Sequence, residues 1–397
     1  MPGRRVAVVG GGILGLAVAD RVLSDDPSAR VTVVEKEQDW ARHQTGRNSG
    51  VVHSGLYYPP GSRKAQWCRA GATALLDLAR DEGVPHEVTG KLVVATEPSE
   101  LDRLLALEAR GRANGLAVEL VSAARARERE PHVAAIAALH VPESAVVDYR
   151  AVCRVLVRRL RQRGARLLPG AELVGGVNRG AEVVLETTRG EVAADVAVAC
   201  AGLHADAVAR LLGHHPSVRI VPFRGEYREL RPAAAHLVRG LVYPVPDPAL
   251  PFLGVHLTRG VDGTVHAGPN AVLALAREGY TWKEVSTTDL AGTLGYPGFW
   301  RLALRHGRSG VTEVTRSLSH HRFADSVRRL VPEVADDDLV PVAAGVRAQA
   351  VRRDGTLVDD FLVERHGRVV HVLNAPSPAA TASLEIARHV VDELRTA

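Results

Sequence analysis

Residues 5–36 read RVAVVGGGILGLAVADRVLSDDPSARVTVVEK, and no other stretch of the chain restricts its fold as tightly. An apolar run at 6–9 leads straight into Gly10-x-Gly12-x-x-Gly15, with Ile13 opening an Ala/Leu/Val-rich helical segment. A second apolar run at 31–34 ends on Glu35 and Lys36. Each part has a physical job. Gly10 permits a tight strand-to-helix turn, Gly12 lets backbone approach a pyrophosphate, and Gly15 lets the helix lie close on the sheet. The helix N-terminus presents unpaired N–H groups to phosphate oxygens. Glu35 stands 20 residues after Gly15, at the tip of the second strand, where a carboxylate accepts from ribose hydroxyls. The pattern predicts a β-α-β unit that holds a dinucleotide.

The 397 residues suffice for two domains with sizeable cores. Apolar residues make up 46% and charged residues 24%, as in a soluble globular protein. No apolar stretch approaches the roughly 18–20 residues that span a bilayer. The first strand begins almost at once, so no cleavable leader and a cytoplasmic location are expected. Cys68, Cys153 and Cys200 form neither a CxxC pair nor a zinc pattern, which predicts free thiols in a reducing compartment and no metal site. The net charge is +5, with only four lysines beside many arginines. That bias reads as codon usage of a GC-rich bacterial genome. No Lys/Arg block is interleaved with aromatics, so no nucleic-acid partner is expected. Segment 153–166, CRVLVRRLRQRGAR, is basic and amphipathic. It reads first as a surface helix of the nucleotide domain, with peripheral attachment to the inner face of the cell membrane as the alternative.

Helical periodicity is expected over 64–83, 99–114 and 150–163, and β-like runs around 86–96 and 117–121. Residues 194–213 again read strand, glycine, helix, and 219–270 carry several β-like runs. Residues 271–335 look mostly helical, and the C-terminus reads strand, small-residue turn, closing helix. The fold class is therefore α/β: a Rossmann-like nucleotide-binding domain with an inserted α+β substrate domain on a mixed or antiparallel sheet. The nucleotide domain is assigned to 1–85, 150–215 and 336–397, the substrate domain to 86–149 and 216–335. A second fingerprint for a nicotinamide cofactor is absent.

Several blocks in order, HQTGRNSGVVHSGLYYPPGSRKAQWC, VPFRGEYREL, VHAGPNAVLALAREGY, GYPGFW, AGVRAQAV and NAPSPAATASL, resemble the FAD-dependent L-2-hydroxyglutarate oxidases and dehydrogenases. Those belong to the D-amino-acid-oxidase-like superfamily of FAD-dependent oxidoreductases. The resemblance runs nearly end to end, with Arg47 standing where the hydroxyglutarate enzymes carry histidine. It implies FAD as cofactor and oxidation of an L-2-hydroxy acid, foremost L-2-hydroxyglutarate, to the keto acid by hydride transfer to the flavin. Another hydroxy acid, a polyol phosphate or an amine remain alternative substrates, and a non-catalytic or tRNA-directed flavoprotein the alternative class. The electron acceptor, oxygen or a quinone-like carrier, is left open.

The resemblance also places the loop 45–53 beside the flavin, giving Thr45, Asn48, Ser49, Gly50 and Val51 as cofactor contacts. Gly202 in the CAGL turn, Gly345, and Ser377, Ala379, Ala380 and Thr381 before the last helix join them. A helix start aimed at the flavin would stabilise the negative charge that develops on reduction. His53 is the first candidate base, since a neutral imidazole suits removal of the hydroxyl proton. His256 is the second. Strand alternation over 252–259 puts His256 and Arg259 on opposite faces. Arg347, implied to lie beside the flavin, is the candidate carboxylate clamp. A dicarboxylate calls for a second clamp, for which Arg224, Arg47 and Arg259 are candidates. Tyr57, Tyr58, Tyr227 and Tyr243 are candidate polar lining.

Overall fold

The chain was analysed as a computed structural model that describes residues 3–248 and 253–395, apart from the side chains at 308 and 309. The first residue of the FLGVHLTR run, and the outermost residues of both chain ends assigned to the nucleotide domain, lie outside the described residues.

Val6–Val9, Val31, Val33 and Val34 are buried, as in strands covered on both faces. They lie within a six-stranded sheet in the order Leu362–His366, Val369–Asn374, Val196–Ala199, Arg5–Val9, Arg30–Glu35, Arg166–Pro169. Five strands are parallel, and Leu362–His366 runs antiparallel at the edge. The next strand in sequence lies on one side of Arg5–Val9 and Val196–Ala199 on the other, so the topology switches there. In open α/β sheets ligands bind at the carboxyl ends of the strands at such a point.

Helices Ile13–Asp25, Arg63–Asp81, Tyr149–Gln162 and Ser383–Arg395 cover one face of this sheet with a shared apolar core. An antiparallel meander, Leu173–Arg179, Glu182–Thr187 and Gly190–Ala194, packs on the other. The basic segment near 153 lies in Tyr149–Gln162, whose N-terminus is capped by the Asp148 carboxylate accepting from Ala151 N–H at 3.0 Å. Val152, Cys153, Val155, Leu156, Val157 and Leu160 bury its apolar face in the core. Its arginines Arg158 and Arg159 pair with Glu82. That helix has no apolar face left for a membrane.

The second sheet has nine strands, antiparallel except where Lys91–Ala95 runs parallel to Leu241–Pro244. Its longest pairing joins Val218–Leu230 to Leu339–Arg352, from Val218↔Arg352 to Leu230↔Leu339. In space, therefore, Leu339–Arg352 is a strand of this sheet, whereas the sequence reading put it, within 336–397, in the nucleotide domain. Helix His320–Arg328 covers one face through Phe323, Ala324 and Val327. The other face turns toward the loop that follows the short strand Val51–Val52.

Candidate active site

At the nucleotide end, Gly10 adopts φ +109°, and a Cβ there would lie 2.4 Å from the Cys200 carbonyl oxygen. A Cβ on Gly15 would lie 1.9 Å from the Gly10 carbonyl oxygen, so helix and turn meet backbone to backbone. Gly12 differs: a Cβ there would meet only Thr45 Oγ1, at 3.3 Å. That hydroxyl accepts from the N–H of Ile13 at 3.1 Å, capping a helix whose own N-cap residue has no side chain. The Glu35 carboxylate accepts from Gly11 N–H at 2.6 Å and Glu37 N–H at 2.9 Å, fixing it at the strand tip.

Beside it is a charged group of which the sequence reading named only Lys36, as a cofactor contact. Lys36 Nζ pairs with Glu37 and, at 2.7 Å, with Glu278, while His204 Nε2 lies 2.9 Å from Glu278 and His43 Nε2 3.0 Å from Glu37. Burial raises the Glu278 carboxyl, but its hydrogen bonds to His204 and Lys36 outweigh that and hold it at about 2. Glu37, His43 and Glu278 have the composition of a cation site. The cation between the two carboxylates is the Lys36 ammonium itself.

A continuous line of contacts runs from the glycine turn to the far end of the site. Thr45 touches the first helix, and a Cβ on Gly202 (φ +50°) would lie 2.7 Å from Gln44 Oε1. Asn48 ties the loop together, donating to Thr45 O at 2.7 Å and accepting from Gly50 N–H at 2.8 Å. A Cβ on Gly345 would lie 2.3 Å from Arg47 O, so this strand and the loop meet with no side chain between them. Ser49 is half-buried within the loop. Val51 O accepts from the buried Tyr149 hydroxyl at 3.0 Å, and that hydroxyl lies 3.1 Å from Thr381 Oγ1. Thr381 Oγ1 also accepts from His53 N–H at 3.1 Å, and Ser377 Oγ lies 3.4 Å from His53 Nε2. Ala379 is buried and Ala380 half-buried in the same turn.

The sheet face opposite this line follows from strand register. Residues directly paired across neighbouring strands share a face. Lys91 pairs with Leu241, Leu241 with Thr258, Thr258 with His266, and His256 with Gly268. Alternation then puts Lys91, Tyr243, His256, Thr258 and His266 on one face. Contacts agree: the Tyr243 and His256 rings stack at 4.0 Å, and Lys91 Nζ lies 4.5 Å from the Tyr57 ring centroid and 5.1 Å from that of Tyr243. Leu92, Val94, Val242 and Leu257 occupy the opposite face, packed on Phe323 and Val327.

This face meets the loop carrying His53. The His53 backbone is fixed from both sides, by Thr381 at its N–H and by the Cys68 thiol donating to its carbonyl at 3.1 Å. Its Nδ1 is buried and has no hydrogen-bond partner. Burial, then the charge of Lys91 and proximity of His256, push the imidazole down to about 3. His256 Nδ1 lies 2.9 Å from Gly254 O, which makes Nδ1 the protonated nitrogen and leaves Nε2 as an acceptor. Burial brings His256 down to about 4, with Arg347 and Lys91 adding to the effect. Both imidazoles are neutral at pH 7. Burial raises the thiols of Cys68, Cys153 and Cys200 to about 12, so none is a ready nucleophile.

The arginines separate sharply. Arg347 pairs in register with Phe223 and is close enough to His256 and Tyr227 to feel both. Arg224 is fully buried, bonded to Glu226 at 2.9 and 3.2 Å, and stacked 4.3 Å over Trp282. Arg259 donates to the carbonyls of Ala235 and Val238, on the face away from His256, as alternation requires. Arg47 lies 3.8 Å over the Tyr280 ring and donates to Arg42 O. All three candidates for the second clamp are thus engaged elsewhere. Lys91 was missed, although a lysine at the head of an apolar strand, in a chain with four, was a signal in plain view.

The profile described as FAD dependent oxidoreductase matches residues 5–393. An L-2-hydroxyglutarate dehydrogenase of Escherichia coli (strain K12) is 44% identical over 98% of this chain and 92% of its own. That of Indibacter alkaliphilus is 42% identical over 96% of each, and the human mitochondrial one 40% identical over 98% of this chain and 88% of its own. Among solved structures, L-alpha-glycerophosphate oxidase from Mycoplasma pneumoniae with FAD bound has a TM-score of 0.81 at 21% identity, covering 100% of this chain and 95% of that one. Glycine oxidase from Geobacillus kaustophilus has a TM-score of 0.73 at 20% identity, covering 99% and 95%. The chain belongs to the FAD-dependent oxidoreductase family, in the branch that holds the L-2-hydroxyglutarate dehydrogenases.

FAD is the cofactor, and the residues present fit it. The Gly12 side of the first helix is clear of protein except for one hydroxyl, as a pyrophosphate requires, and the Glu35 carboxylate stands at the tip of the second strand. The line from Thr45 through Gly50 and Gly345 to Thr381 presents backbone, small side chains and hydroxyls rather than bulk.

Proposed function

We propose that this enzyme oxidises the C2 hydroxyl of L-2-hydroxyglutarate to the 2-oxo group. The observation that carries the reading is the juxtaposition of two neutral imidazoles, half-buried His53 and buried His256, with cationic side chains at the end of the FAD line. Such a site accepts an anion and a proton together. The 40–44% identity with L-2-hydroxyglutarate dehydrogenases over almost the whole chain supports that substrate before other hydroxy acids.

FAD, when bound, supplies the two-electron acceptor for the hydride that leaves C2. His53 takes the hydroxyl proton on its unpartnered Nδ1 as the C2–O bond becomes a carbonyl. His256, with Nδ1–H committed to Gly254 O, accepts through Nε2 and orients the substrate. Arg347 holds the C1 carboxylate. Burial of the surrounding face excludes water, so the imidazole stays neutral until it receives the substrate proton.

Anaerobic mixing tests this directly. L-2-hydroxyglutarate should bleach the flavin and D-2-hydroxyglutarate should not, whereas bleaching by an amine and no hydroxy acid would sink the reading. His53→Ala should keep FAD bound yet slow bleaching by about 10²- to 10⁴-fold. If it bleaches at the wild-type rate, the base is elsewhere, with His256 next.

The electron acceptor that best suits the surface is a carrier held at an anionic membrane rather than dissolved oxygen. Helix Pro297–Leu318, kinked at His306, exposes Trp300 and Leu304 before the kink, beside Arg301 and Arg305, and Val311, Val314 and Leu318 after it. A cavity of about 420 Å³ lined by Phe223, Leu273, Phe299, Leu302, Val314 and Leu357 lies beneath it. No helix among the described residues is long and apolar enough to cross a membrane, so the contact would be peripheral.

A further inference from the structure

We propose that Lys91 is the cation that recognises the second carboxylate of the substrate and so sets the preference for a diacid. The inference rests on the function proposed above and deepens it.

Lys91 is 2% exposed, and its ammonium has no hydrogen-bond or carboxylate partner among the described residues. Among the described residues its ring contacts are Tyr57 and Tyr243. The three other lysines differ: Lys36 is paired with two carboxylates, Lys64 lies near Asp359 and Asp360, and Lys283 is exposed. A buried charge held by ring faces alone is far from neutralised, because a cation–π contact returns about 1–2 kcal/mol against a larger desolvation cost. A protein retains such a group where a ligand completes it.

Position makes that ligand an anion at this site. Register places Lys91 on the face that carries Tyr243 and His256, and Tyr57 belongs to the loop that carries His53. Lys91 is close enough to lower the affinity of both imidazoles for a proton. The candidates for a second clamp read from sequence lie elsewhere: Arg224, paired with Glu226 and with only its Nη1 unpartnered, alternates to the face opposite Arg347, Arg259 donates to backbone carbonyls, and Arg47 lies over Tyr280. With Arg347 on the C1 carboxylate, Lys91 is the remaining cation on this face for the C5 carboxylate. Its flexible stem and point charge suit a terminal group whose exact angle does not affect the chemistry at C2.

The test compares L-2-hydroxyglutarate with L-2-hydroxypentanoate, which keeps the carbon chain but ends in methyl, in wild type, Lys91→Met and Lys91→Arg. The ratio of kcat/KM for diacid over monoacid should fall by about 30- to 5,000-fold in Lys91→Met, the range for losing one partner of a buried charge pair. Lys91→Arg should restore part of it. In parallel, glutarate, which cannot be oxidised at C2, should raise the melting temperature of the FAD-loaded wild type more than pentanoate does. That difference should vanish in Lys91→Met. Equal losses for both acids, or a preserved glutarate effect, overturn the proposal. Wild-type enzyme that L-2-hydroxyglutarate fails to reduce would instead overturn the proposed function, and the glutarate measurement still decides the role of Lys91.

Discussion

Lys91 costs the fold stability for as long as no anion reaches it. Burial pulls its ammonium down from the ordinary 10.5 to about 8, an effect the Cys68 thiol offsets only in part. The folded value lies below the unfolded one, so the unfolded chain binds this proton more tightly. The penalty is therefore full below pH 8 and is relieved as pH rises toward 10.5. At about 1.4 kcal/mol per pH unit, the gap corresponds to roughly 3 kcal/mol. Met is close to Lys in length and carries no charge, so Lys91→Met should melt several degrees higher than wild type at pH 7, with the gain shrinking by pH 10. Calorimetry of the FAD-loaded proteins at the two pH values checks it. A variant no more stable than wild type at pH 7 would show that the ammonium is better solvated than its surroundings allow. Gain in stability with loss of diacid preference is the trade expected of a group kept for binding.

Helix Pro297–Leu318 presents the corresponding imbalance at the level of an element. The helix is kinked at His306: Trp300 and Leu304 stand four apart before the kink, Val311, Val314 and Leu318 at intervals of three and four after it, and Leu304 is 85% exposed. Trp282 extends the patch by donating to Ser317 Oγ at 3.2 Å. Apolar side chains flanked by arginines match the physics of an interfacial helix, in which each cation near an anionic surface adds about 1 kcal/mol. The protein should float with vesicles containing phosphatidylglycerol, float less as salt rises, and stay behind with pure phosphatidylcholine. Leu304→Glu combined with Leu318→Glu should abolish flotation, and undiminished flotation of that variant would rule this helix out. The sequence offered the basic segment near 153 for this role only as the alternative to a surface helix of the nucleotide domain, because charge is visible in a sequence while the fate of an apolar face is not. There the apolar face is spent on the sheet. The glycine fingerprint, by contrast, was legible because all its parts lie within 36 residues and interact locally. The same contrast holds at the site. His53 and His256 stood out by type, but Lys91 acquires its surroundings from Tyr57 and Tyr243, 34 residues before and 152 after it. Arg224, Arg47 and Arg259 looked equivalent until tertiary contacts gave each a partner.

Across the whole molecule, desolvation holds three histidines in the neutral form. His53 and His256 belong to the site. His371 lies in the six-stranded sheet with both ring nitrogens unpartnered, stacked 5.1 Å from His214. Burial, then the nearby His214 and His366, lower it to about 4, while His53 is at about 3 and His256 at about 4. All three folded values lie below the ordinary 6.5. Above pH 6.5 neither state binds these protons and stability is complete. As pH falls from 6.5 toward 4 the unfolded chain takes them up while the folded protein does not, so stability drains away. With three protons at stake the slope approaches about 4 kcal/mol per pH unit near pH 5. Glu278 and Asp336, held at about 2 by their partners, add a further loss in the same direction below about 4.5. Urea midpoints of the FAD-loaded enzyme should therefore be flat from pH 8 to 7 and fall steeply between 6 and 5. His371→Leu, far from the chemistry, should reduce that slope by about one third, because it removes one of the three protons. A midpoint that holds constant down to pH 5 would mean that these imidazoles are protonated in the fold, and the same result would deny His53 the neutral nitrogen its catalytic role requires.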